Sequence, residues 1–66
     1  MKVRISTLAG VKNRENDGLE VELPCVPSIG SVIEIGNDAL EVVRVFYTFD
    51  YKKENARVYI SVRDFN

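Results

Sequence analysis

Apolar and polar residues alternate with a period of two along most of this chain, the spacing of half-buried β-strands. In Lys2–Leu8, Val3 and Ile5 alternate with Lys2, Arg4 and Ser6. The run Leu19-Glu-Val-Glu-Leu23 puts Leu19, Val21 and Leu23 on one face and Glu20 and Glu22 on the other. In Ser31–Ile35, Ile33 and Ile35 share a side opposite Val32 and Glu34; in Arg57–Val62, Val58, Ile60 and Val62 oppose Arg57, Tyr59 and Ser61.

Between these strands lie residues suited to turns. Lys12–Gly18 is a polar loop ending in Asp17-Gly18, where glycine supplies a positive φ without steric cost. Pro24 and Pro27 lack the N–H that a ladder requires and end the second strand, and Gly30 closes the following turn. Gly36-Asn37-Asp38 reads as a short hairpin connection, and Asp50–Asn55 as a longer one.

The segment Ala39–Tyr51 breaks parity. Leu40 and Val42 hold one face on even numbers, whereas Val45, Tyr47 and Phe49 continue it on odd numbers. One extra residue near Val43 or Arg44, a β-bulge, reconciles the two halves. Asp38-x-x-Glu41 also mimics a helix capping box, but the valines, aromatics and threonine that follow favour a strand. The expected fold is therefore all-β: a single domain over residues 1–66, built as a five-stranded antiparallel SH3-like barrel. Its expected core is Val3, Ile5, Leu19, Val21, Leu23, Ile33, Ile35, Leu40, Val42, Val45, Tyr47, Val58, Ile60 and Val62.

The pattern Leu23-Pro24-x-x-Pro27-x-x-Gly30-x-x-Ile33-x-Ile35, followed by Gly36, Leu40, Val42 and Val45, resembles the central strands of small SH3-like barrels. More narrowly, it is similar to short uncharacterised proteins of bacteria, phages and other mobile elements. The resemblance covers about residues 19–46. Many such proteins carry an acidic residue straight after the glycine, where this chain has Ser31. The resemblance implies a fold and no activity.

Composition narrows the chemistry. A chain of 66 residues buries only about 60% of its unfolded surface, so its core is small and often supplemented by a disulfide, a metal or a partner. One cysteine and no histidine leave no internal disulfide and no soft-ligand zinc site, which makes a homo-oligomer the expected supplement. No cofactor is expected. No apolar run reaches membrane-spanning length, and Arg4, Ser6 and Thr7 interrupt the N-terminal segment where a signal peptide would be continuous. Together with the free Cys25, this predicts a cytoplasmic protein that does not enter a membrane.

Charge is segregated along the chain. Residues 1–14 carry +4, residues 15–41 carry −7 and the remainder +2, for a net −1. That balance argues against a generally nucleic-acid-binding protein but allows a local basic site.

Without histidine, the Ser-His-Asp and Cys-His arrangements lack their base. Cys25, between two prolines, reads as a small apolar plug at a turn. Glu20 and Glu22 share a strand face at roughly 7 Å, a spacing that overlaps paired-carboxylate glycosidases, but an open sheet face provides no cleft to desolvate them. Asn13-x-Glu15-x-Asp17-Gly18 only echoes a calcium loop, because Pro24 stands where the closing glutamate belongs.

One constellation remains. If Val45 and Tyr47 face inward opposite Val58 and Ile60, paired residues in the last two strands have numbers summing to about 105, and Phe46 lies outward opposite Tyr59. Arg44 and Arg57, with Arg63 as an outlying member, surround this pair, and Lys52 and Lys53 lie at the hairpin tip. The expected function is a non-enzymatic interaction module that binds protein, either itself or another partner, through strand edges and this aromatic and basic face. The second reading is a small barrel that binds nucleic acid through the same face.

Overall fold

A computed structural model describes residues 1–65, which form one curled five-stranded sheet shaped as a half-barrel. Its strands are β1 (Lys2–Thr7), β2 (Glu20–Glu22), β3 (Val32–Ile35), β4 (Asp38–Asp50) and β5 (Asn55–Asp64), arranged in the order β2-β1-β5-β4-β3. A single turn of 3₁₀-helix spans Arg14–Asn16. No helix among the described residues is long and apolar enough to cross a membrane.

The all-antiparallel arrangement expected from the sequence is corrected at one pair. β1 runs parallel to β5, with Val3 opposite Val58 and Thr7 opposite Val62, while the other three pairings are antiparallel. The reason is parity of strand number. Strands that reverse direction at each connection leave all odd-numbered members pointing the same way, so a first strand beside a fifth must lie parallel to it. β2 and β3 remain as the two outer strands and do not pair with each other.

The bulge falls where the broken alternation placed it. Val42 opposes Val62 and Arg44 opposes Ser61, leaving Val43 as the extra residue. Beyond it, Val45 opposes Ile60, Phe46 opposes Tyr59 and Tyr47 opposes Val58, in the expected register. The strand reading of 38–50 also displaces the helix that its capping-box sequence mimics.

The concave face holds the core. Val3, Ile5, Val11, Leu40, Val42, Ile60 and Val62 are buried, with Val21, Leu23, Ile33, Ile35, Val45 and Val58 packed partly buried around them. Burial of this kind contributes about 25 cal/mol per Å² of apolar surface removed from water, the main stabilising contribution in so small a chain. Two expected core residues lie elsewhere. Leu19 precedes β2 and is exposed, and Tyr47 is 62% exposed because β3 stops opposite Glu41 and leaves β4 an outer strand where Tyr47 sits. Val11, absent from the expected core, closes one end of it.

The loop carrying Val11 is fastened by polar contacts. Asp38, at the start of β4, accepts hydrogen bonds from the side-chain amides of Asn13 at 2.7 Å and Asn16 at 3.1 Å. Asn16 is buried, so this carboxylate supplies the partner its amide requires. The Asp17 carboxylate accepts a 2.9 Å hydrogen bond from the Thr7 backbone N–H, on the side of β1 whose pairing with β2 ends at Arg4. Cys25 is exposed, which corrects the expected apolar plug: in the Pro24–Gly30 segment only Val26 and Pro27 are partly buried.

Candidate functional site

The site is built on the hairpin of β4 and β5, which outruns its neighbours. β3 opposes β4 only at Asp38–Glu41, and β1 opposes β5 only from Val58 onward. From Thr48 to Arg57 the sheet is therefore a two-stranded ribbon, and the molecule is elongated, with extents of 40 × 21 × 18 Å. Both faces of such a ribbon meet water.

On the convex face the expected pair forms. The Phe46 and Tyr59 rings stack with centroids 5.2 Å apart and planes 8° from parallel. Arg44 lies two residues before Phe46 on β4 and Arg57 two before Tyr59 on β5, so strand alternation puts all four on one face. The four-residue turn 51–54 carries Lys52 and Lys53 at the tip. Arg63 is engaged elsewhere: it opposes Glu41 and pairs with it at 2.8 Å.

Two further cations join this face that the sequence did not assign to it. The parallel β1–β5 register places Arg4 directly opposite Tyr59. Arg4, Tyr59 and Phe46 thus form one row across three strands, with Glu20 beyond Arg4 at 3.6 Å. Lys2, two residues earlier on β1, lines a shallow cleft with Arg4, Glu20, Asn55 and Arg57. Only knowledge of which strand lies beside β5 reveals this cluster, and sequence periodicity carries no such information.

The concave side of the ribbon holds the larger uncovered apolar surface. Tyr47 is 62%, Phe49 61% and Tyr51 78% exposed, and the Phe49 and Tyr51 rings lie 6.4 Å apart. Tyr47 and Phe49 continue the line of Val42 and Val45 from the core outward, so an apolar stripe runs from the closed part of the half-barrel into solvent. The alternation rule assigned these rings to the inner face correctly; there is no opposite layer for them to meet.

The carboxylates considered for chemistry are occupied in structural roles. Glu20 pairs with Lys2 and Arg4, and Glu22 accepts a 2.8 Å hydrogen bond from the terminal ammonium of Met1. That ammonium holds the Glu22 carboxyl below its usual range, first through the hydrogen bond and then through its charge. Among the described residues no three cysteine or acidic side chains gather as metal ligands would. No family model matches the chain, and no curated protein or solved structure matches it significantly.

Proposed function

We propose that this chain is a non-enzymatic interaction module that binds protein through the projecting β4–β5 hairpin and its strand edges. The observation that carries this reading is the exposed aromatic stripe of Tyr47, Phe49 and Tyr51 beyond the end of the core. Large aromatics held on a strand lose little conformational freedom when covered, and contiguous exposed apolar surface of this kind marks protein contact sites. The free Cys25 suits a reducing compartment, and a cytoplasmic setting goes with the reading. So does the resemblance to SH3-like proteins of bacteria and mobile elements, with the parallel β1–β5 pair as a departure from an all-antiparallel barrel.

The experiment is site-specific photo-cross-linking in the producing cell, with a benzophenone amino acid at Tyr47 and, as a control, at the exposed Glu34 of β3. Discrete protein adducts at position 47 and none at position 34 are expected. Absence of adducts at 47 overturns the reading.

The second reading, a nucleic-acid-binding barrel, is favoured by the cations Lys2, Arg4, Arg44 and Arg57 around the Phe46–Tyr59 stack. It is the weaker one, because the two rings spend one face each on one another and Glu20 partly neutralises Arg4 and Lys2. Labelled oligothymidylate tests it. Affinity that falls steeply with salt, and a slope flattened by replacing Arg44 and Arg57 with alanine, would establish the nucleic-acid reading in place of the first.

A further inference from the structure

The edge of β4 facing away from β5 is paired only in its first third. Its last backbone bonds on that side are made by Val42, which donates its N–H to the Ser31 carbonyl at 2.9 Å and accepts from the Gly30 N–H at 2.8 Å. From Val43 to Asp50 no strand lies on that side among the described residues. The segment Val-Arg-Val-Phe-Tyr-Thr-Phe-Asp is rich in strand formers and holds no proline or lysine, the residues that commonly protect an edge. Its bulge sits at the β3 end and leaves the register regular from Arg44 to Asp50.

We infer that this edge pairs antiparallel with the same edge of a second copy of the chain, about a two-fold axis at Tyr47. The inference rests on the protein-interaction reading above and names its partner. Symmetry limits the choices. Backbone groups of alternate residues point to the open edge, so two identical antiparallel strands must be centred on a residue rather than between two. Four centres, Val45 to Thr48, place most of the free segment in contact, and Val45 is excluded because it sets Thr48 opposite a Val42 whose N–H and carbonyl are already bonded to Ser31 and Gly30.

Centring on Tyr47 sets Arg44 opposite Asp50 of the second copy, Val45 opposite its Phe49 and Phe46 opposite its Thr48, each pair occurring twice. Opposite charges meet at both ends, Val45 meets Phe49, and no like charges face each other. Centring on Phe46 sets Asp50 opposite a Val42 whose N–H and carbonyl are already bonded to Ser31 and Gly30. Centring on Thr48 sets Arg44 opposite Lys52, two like charges, and Phe46 opposite Asp50. Charge complementarity selects the first.

The groups concerned are free for the purpose. Arg44 is exposed and makes no ion pair among the described residues, and Asp50 uses one carboxylate oxygen to accept the Lys52 N–H at 3.0 Å, leaving the other open. In the paired form Val45, Tyr47 and Phe49 of both copies lie side by side in one continuous sheet, which removes from water much of the stripe that the single chain exposes.

The test is sedimentation of the full chain and of Arg44→Glu and Asp50→Arg, each alone and mixed. A dimer is expected at high micromolar concentration, its dissociation constant raised about tenfold or more in either variant, where both cross-copy pairs become repulsive. Mixing the variants restores affinity to within about threefold of the parent, because the heterodimer has one pair of each polarity and both attract. A parent chain that stays monomeric, or a mixture no tighter than the separate variants, overturns the inference. Should either variant fail to fold, amide hydrogen exchange of the parent replaces it: alternate amides within 43–50 must slow as concentration rises, and concentration-independent exchange counts against the pairing. A monomeric parent that still gives adducts to another protein at position 47 sinks this inference alone and leaves the interaction module standing.

Discussion

Phe46 and Tyr59 stand directly opposite each other on β4 and β5, their rings 5.2 Å apart and within 8° of parallel, on the face turned away from the core. Phe46 is 36% exposed and Tyr59 half-buried, so the contact stabilises the hairpin but leaves it partly wet. Aromatic pairs across strands contribute about 0.5–1 kcal/mol beyond the area they bury. A double-mutant cycle with Phe46→Ala and Tyr59→Ala should return a coupling of that size in urea unfolding. Additive losses would mean that each ring packs on the backbone independently of the other.

Asp38 holds two amides at once, and one of them belongs to Asn16, a residue only 5% exposed. Replacing Asp38 with alanine strands a buried donor, an error that costs about 1–3 kcal/mol. Replacing Asn16 as well removes the stranded group, so the double variant should lose less than the sum of the two single losses. Chemical denaturation of the four proteins measures this directly, and full additivity would show the two side chains to be uncoupled.

The strands, the bulge and the register of the last hairpin are legible in the sequence because each follows from alternation, a local property. The extra residue at Val43 announces itself as a change of parity between Val42 and Val45, and the opposition of Phe46 to Tyr59 follows from it. Neighbours and lengths are not local. Nothing in the apolar pattern of β1 says that it lies beside β5, and hence that Arg4 flanks Tyr59. Nor does the pattern of β4 reveal that β3 stops at its fourth residue, the reason Tyr47 and Phe49 are inward by parity and yet uncovered. Val11 is not legible for a related reason: it sits alone beside a polar loop, and the Asn13 and Asn16 contacts with Asp38 that fasten that loop reach across the chain.

Asp17 makes stability depend on pH in acid. The Thr7 backbone N–H donates to its carboxylate at 2.9 Å, and this hydrogen bond, aided more weakly by the charge of Arg14, holds the carboxyl below its ordinary range. A carboxyl whose folded pKa lies below its unfolded one adds stability above the unfolded value, about pH 4. That contribution disappears as pH falls through the folded value. The stability difference between the parent and Asp17→Asn should therefore be constant from about pH 5 upward and shrink below pH 4. A difference that does not change over that range would show that the carboxylate charge plays no part in holding the end of β1.

Glu54 is the one residue other than glycine with positive φ among the described residues, at 51°, and it closes the turn that joins β4 to β5. The turn begins with Asp50, whose carbonyl accepts the Lys53 N–H at 3.2 Å and whose side chain accepts the Lys52 N–H; a left-handed residue then returns the chain to strand at Asn55. A side chain in that conformation costs about 1–2 kcal/mol, and glycine avoids most of this while giving back about 0.5–1 kcal/mol through the freer unfolded chain. Glu54→Gly should therefore stabilise by about 0.5 kcal/mol, a rise of a few degrees in thermal midpoint for a domain this small. Glu54→Ala separates backbone from charge: it keeps the strain, removes the carboxylate, and should leave the midpoint close to that of the parent. If alanine stabilises as much as glycine, the gain comes from removing a negative charge beside Asp50, and the left-handed turn carries no strain. If only glycine does so, the tip that presents Tyr47 and Phe49 is held in a conformation that its sequence resists.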